Sequence, residues 1–292
     1  MQSVDIERFK EIPNMFVIDG EPEIVTETRA TILNAFKDLT FDEPTHTYTL
    51  NGVILPSVTT ILHKFQEPFD SDGIAEKYAL KHGFTKEHWL DKWKYKNLIA
   101  TTTGSLVHAF GESLFYVKAG HPEFITDSCK VQYVKEKNWL IPTRPKEEAI
   151  IKFYEELNPN LHLLLAEAKM FTGLNKDLTN LKQDVAGTAD IMFYYIDPDN
   201  PKKNGICIFD YKNNEDLWND FARNNGKMLL EPFDDMISEP KSVYELQLNT
   251  YSLPVEDLGF NVIARRLVWL KPDATYEIIP VGDKRELLRN TL

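Results

Sequence analysis

Two aspartates and a lysine stand in two apolar runs. Asp190 lies in Val185-Ala186-Gly187-Thr188-Ala189-Asp190-Ile191, and Asp210-Tyr211-Lys212 ends the run that begins Gly205-Ile206-Cys207-Ile208-Phe209. On an extended strand, residues two apart leave the same face, so Asp210 and Lys212 share one surface and Tyr211 points to the other. Hard divalent cations such as Mg²⁺ take oxygen ligands, commonly one or two carboxylates plus substrate phosphate, and this trio supplies that chemistry. A solvated strand edge fits the same three residues, because charged side chains are mostly exposed. The surrounding elements decide between the two.

The first run continues through Met192-Phe193-Tyr194-Tyr195-Ile196. Turn material from Asp197 to Asn204 separates it from the second, which predicts an acid-bearing hairpin. Ahead of it, Leu161 to Ala166 is an apolar run followed by Glu167. Behind it come a helix over Val243 to Leu253 stopped by Pro254, then strand-like runs at Val262 to Leu270 and Thr275 to Val281. This order predicts an α/β fold, a central mixed β-sheet flanked by helices. Upstream, residues 1–40 read as a peripheral piece with a short helix near Glu27 to Lys37. Asn51-Gly52 between Thr45–Leu50 and Val53–Leu55 marks a type I′ hairpin, and Ser57 is placed to cap a helix from Val58 to Phe65. Helical patterns follow at Gly73 to Lys81, Lys86 to Leu98, Leu106 to Lys118 and Lys146 to Leu157. No repeat or Gly/Ser linker interrupts the chain, so one elaborated domain is the simplest account.

At 292 residues, 42% of them hydrophobic and 27% charged, the chain can bury an ample core and has an ordinary globular composition. No run approaches the roughly 18 apolar residues of a membrane helix. Met1 to Lys10 carries neither a signal-peptide apolar core nor an Arg-rich transit pattern, so the expected compartment is the cytoplasm. Cys129 and Cys207 are too few for a disulfide framework or a four-cysteine iron-sulfur cluster, and Cys207 reads as a buried thiol. The formal charge of −12 argues against a global basic field but leaves room for a local one. Between residues 77 and 96, six lysines alternate with Tyr78, Phe84, Trp89, Trp93 and Tyr95. Lysines that track phosphates and rings that stack on bases are what single-strand binders combine. A pair of amphipathic helices with the rings inside and the lysines in water fits the same pattern.

Gly104 opens a further helical stretch on which His108 and Glu112, four apart, share a face. Imidazole is a common metal ligand, and Glu112 is placed to orient its free nitrogen. In chain order the sequence therefore carries Gly104-x-x-x-His108, Glu167, Gly187-x-x-Asp190, Asp210-x-Lys212 and Gln247-x-x-x-Tyr251. This ordered set resembles the PD-(D/E)XK nuclease superfamily, specifically its RecB-type branch. Pro56-Ser57-Val58-Thr59 after a hairpin is similar to the segment ahead of the nuclease core in phage exonucleases and the mitochondrial genome maintenance exonuclease. The resemblance spans about residues 45–285.

The resemblance implies a restriction-endonuclease-like core over residues 101–292, with residues 1–100 as a hairpin and helical elaboration that contacts DNA. It implies one or two Mg²⁺ or Mn²⁺ ions held by His108, Asp190, Asp210 and the backbone carbonyl of Tyr211, with Glu167 joining the site. Lys212 would orient the attacking water, Gln247 and Tyr251 would contact the substrate strand, and Ser57, Thr59, Trp89 and Trp93 would bind it further away. The implied activity is a metal-dependent deoxyribonuclease, foremost an exonuclease acting on DNA ends or single strands in phage replication, recombination or repair. By the same resemblance, the setting is a bacterial cytoplasm. A structure-specific endonuclease or resolvase, or a non-catalytic nucleic-acid-binding module, are the alternatives on this core. No Walker-type loop is present, so ATP-driven translocation would require a partner such as a helicase or recombination protein.

Overall fold

Strand β6 (Gly205–Lys212) is buried along its whole length, as an unbroken apolar run requires of a central strand covered on both faces. The computed structural model describes residues 9–125, 143–173 and 184–292, and Cys129 lies outside them. With elements numbered along the chain, β6 is the middle of a five-stranded sheet in the order β4 (Leu161–Phe171), β5 (Ala186–Tyr195), β6, β7 (Val262–Leu270), β8 (Tyr276–Pro280). All neighbours are antiparallel except β6 and β7, which are parallel and joined by helix α7 (Pro240–Asp257). A second sheet has three antiparallel strands, β1 (Leu39–Asp42), β2 (Thr47–Leu50) and β3 (Val53–Leu55). The expected Asn-Gly turn joins the last two, with φ of 50° at Asn51 and 81° at Gly52. The fold is thus α/β with a mixed central sheet.

Helices α4 (Lys86–Ala119) and α5 (Arg144–Glu155) cover one face of the large sheet through Phe115, Phe153, Phe193, Phe209 and Tyr211. Helices α1 (Glu23–Ala35), α2 (Val58–Leu62) and α7, with the small sheet, share the core on the other face, built on Ile32, Leu62, Met192, Ile208 and Leu246. Close approach of α4 to β6 requires glycine. A Cβ at Gly111 would lie 2.7 Å from the Tyr211 ring.

Several expectations need correction. Residues 9–40 are not peripheral: α1 buries Val25, Arg29 and Ile32 completely or nearly so. The two helices expected over Lys86–Leu98 and Leu106–Lys118 are one 34-residue helix, α4. Thr101, Thr102 and Gly104 look like a break, yet the helix runs through them, with the threonine hydroxyls donating to the carbonyls of Asn97 and Leu98 one turn back. The expected division at residue 100 falls inside this helix. Pro254 does not stop α7 either, because Leu253 and Val255 on either side of it are buried in the core and hold the last turn in place. Among the described residues, no helix is long and apolar enough to cross a membrane.

Candidate metal centre

Antiparallel pairing lines up the acids. Ile191 pairs with Phe209, so one step further Asp190 faces Asp210 across β5 and β6. On the other side of β5, the pairs Ala166–Ile191 and Ala168–Ala189 set Glu167 opposite Asp190. Three carboxylates therefore form one row over three neighbouring strands. From α4, His108 presents Nδ1 at 3.2 Å from Asp190 Oδ2. The Tyr211 N–H donates to that same oxygen at 2.7 Å, which ties the backbone of β6 to the cluster.

Lys212 completes the group. Its ammonium is ion-paired with Asp210, donates to Gln247 Oε1 at 3.4 Å and lies 4.1 Å from the centre of the Tyr244 ring. Gln247 Nε2 in turn donates to Tyr251 OH at 2.7 Å. Gln247 and Tyr251, expected on a substrate surface, are instead buried behind Lys212 and hold it. Tyr244 was missed, although its position three residues before Gln247 puts it on the same helix face.

Burial raises the Glu167 carboxyl to about 8, and the neighbouring Asp190 charge pushes the same way. Asp210 is raised to about 6, by burial first and then by Asp190. At His108 burial works downward, but the charge and hydrogen bond of Asp190 outweigh it and lift the imidazolium to about 9. Burial also opposes ionisation of Asp190, yet His108, Lys212 and the Tyr211 amide hold its carboxyl below the usual range. Burial and the neighbouring Asp190 charge thus favour the protonated forms of Glu167 and Asp210.

The donor set fits a hard divalent ion. His108, Glu167 and Asp190 each offer a ligand atom, all within 4.8 Å of one another, and oxygen donors with one imidazole suit Mg²⁺ or Mn²⁺. Asp210 stands beside this trio and is balanced by Lys212. No family model, curated protein or solved structure matches the chain. Its chemistry is read from the cluster itself.

Access comes from a cleft of about 1230 Å³ that reaches His108 and Glu167, lined by Thr101, Thr102, Ser105 and Glu112 of α4 and by Lys37 and Lys169. His108 Nδ1 pairs with Asp190, and the charge of Glu112 is felt at Glu167. Ser57 caps α2, accepting from the Thr60 N–H at 3.1 Å and contacting the Thr59 hydroxyl. Pro56 accepts from the Ala186 N–H, which docks this segment at the start of β5.

Trp89 and Trp93 lie elsewhere, in a helical hairpin formed by α3 (Ser71–His82) and the first half of α4. Their rings pack within 5.2 Å and 5.6 Å of Tyr78 respectively, so they join the two helices, as the amphipathic alternative expected. The exposed rings of this hairpin and its approach are Phe69, Tyr78, Phe84 and Tyr95.

Gly187 owes its identity to this packing. A Cβ there would stand 2.5 Å from the Tyr251 ring and 3.2 Å from Val58. Gly187→Ala is expected to push Tyr251 away from Gln247 and to destabilise the fold by about 1–3 kcal/mol, the usual cost of overpacking a filled core. Urea unfolding of the variant beside the parent checks this. An unchanged midpoint would show that Tyr251 yields without cost.

Proposed function

We propose that the protein is a metal-dependent deoxyribonuclease of the PD-(D/E)XK type, acting on DNA ends or single strands. One observation carries the reading: Glu167, Asp190 and Asp210 form a row across three strands, with His108 at one end and Lys212 at the other. A structural salt bridge needs one acid and one base, whereas this buried site gathers an excess of acids around a gap that a cation fills. The order of these residues matches the resemblance drawn from the sequence.

In this reading Glu167, Asp190 and His108 bind the ion, and the Tyr211 N–H and the Lys212–Gln247–Tyr251 chain keep their geometry. A bound Mg²⁺ or Mn²⁺ lowers the pKa of a water and neutralises charge on the phosphate. Lys212 orients the attacking water and stabilises charge on the phosphate as the water oxygen bonds to phosphorus and the P–O bond to the leaving nucleotide breaks. The hydroxyls of α4 and the lysines of the cleft hold the strand's backbone. The α3–α4 hairpin, with lysines 77, 81, 92 and 94 beside exposed Phe84 and Tyr95, gives an acidic chain a local surface for a polyanion that stacks.

Incubation of linear single-stranded, linear duplex and closed circular DNA with Mg²⁺ or Mn²⁺ tests the proposal. Linear substrates should shorten while the circle survives. Cutting of the circle would favour an endonuclease or resolvase, and inertness toward all three would favour a non-catalytic binding module.

A further inference from the structure

The row of acids exists because β4 carries one residue too many. From Leu161 to Leu163 the strand pairs in one register, with Leu163 opposite Phe193. From Leu165 onward it pairs in another, with Leu165 opposite Met192, so Leu164 is extra. Had the first register continued, Glu167 would stand opposite Ala189, and Asp190 would face Ala166. The bulge brings Glu167 to Asp190.

A bulge leaves ladder groups without strand partners, and an unpaired buried carbonyl costs about 1–3 kcal/mol. Arg29 of α1 meets that need. Its Nε donates to Leu164 O and its Nη2 to Leu163 O, both at 2.8 Å. Its Nη1 donates to Phe16 O at 3.0 Å, and Glu21 takes the guanidinium at 2.6 and 2.8 Å. The side chain is fully buried, with its guanidinium carbon 4.1 Å from the Phe16 ring centre.

We propose that Arg29 is a positioning residue for Glu167: by holding the carbonyls of the bulge it fixes the register that sets Glu167 opposite Asp190. This rests on the metal-centre reading above. The N-terminal helix thus belongs to the site through its hold on β4.

The test compares Arg29→Met with Glu21→Gln, which breaks the buried ion pair but keeps the donors on the bulge. Both should melt earlier than the parent. Arg29→Met should also raise the Mn²⁺ dissociation constant about tenfold, the scale for loss of a residue that supports a ligand, while Glu21→Gln should leave it within about twofold. Deleting Leu164 removes the register shift with Glu167 still opposite Asp190, so that deletion in the Arg29→Met background should restore Mn²⁺ affinity. Equal affinity losses in Arg29→Met and Glu21→Gln, or no rescue by the deletion, would overturn the proposal. Methyl-labelled NMR reads the register without metal. Strong Ala168–Ala189 and Ala166–Ile191 contacts should weaken in Arg29→Met, and their persistence overturns the proposal. If the parent protein binds no Mn²⁺ but the register still shifts, the metal-centre reading fails and the role of Arg29 in the register stands.

Discussion

Lys212→Ala is expected to lower Mg²⁺-dependent cleavage of linear DNA about a thousandfold, the upper scale for removing one preorganised charge stabiliser. The ammonium is held on three sides, by the Asp210 carboxylate, the Gln247 amide oxygen and the Tyr244 ring. It therefore needs little reorganisation when charge develops on the phosphate. The same substitution leaves His108, Glu167 and Asp190 in place, so Mn²⁺ binding should persist and slow chemistry should appear without loss of the ion. Asp210 loses its counter-charge, and because burial and Asp190 already raise its carboxyl to about 6, it will take up a proton more readily. The fold should survive at some cost in stability. Single-turnover kinetics beside an Mn²⁺ titration separates these effects. Activity within tenfold of the parent would remove Lys212 from the chemistry.

Much of this site is legible in the sequence because strands and helices have fixed periods. The alternation of Asp210, Tyr211 and Lys212 places two charges on one face and the ring in the opposite core, and Tyr211 does pack there against Phe153. The spacing of Gln247 and Tyr251 puts them on one helix face, and the structure joins them by a hydrogen bond. What periodicity cannot give is which side of a polar residue meets solvent. Gln247 and Tyr251 pack inward behind Lys212, whereas Trp89 and Trp93 are half-buried where α3 meets α4. Nor can it give a one-residue register change: Leu161 to Ala166 reads as uniformly apolar, and nothing in it marks Leu164 as the extra residue. The partner that stabilises this bulge, Arg29, is more than a hundred residues away. Helix continuity is a further case, since Thr101 and Thr102 disfavour a helix locally and yet lie inside the unbroken α4.

The metal-free protein should lose stability steadily as pH rises from about 5 to 9, and divalent ions should cancel that loss. Glu167 is raised to about 8, Asp210 to about 6 and His108 to about 9, so over this window the native state binds more protons than the unfolded chain. Stability falls with pH wherever the native state holds the extra protons. The contribution of His108 is fully present below its unfolded value and disappears as pH passes its folded one. Glu167 and Asp210 act with the same sign, because each must give up a proton into a buried, negatively charged site. Asp190 has the opposite sign, but its contribution is already complete once pH exceeds the ordinary carboxylate range. A bound Mn²⁺ displaces those protons, so its affinity should increase with pH, and at about 100 times its dissociation constant it adds about 2.7 kcal/mol. Urea midpoints in EDTA and in Mn²⁺, measured across this range, should therefore diverge toward alkaline pH. Glu167→Gln should flatten the EDTA curve and shrink the Mn²⁺ effect. A midpoint in EDTA that climbs with pH would show that these carboxylates are already satisfied without a cation.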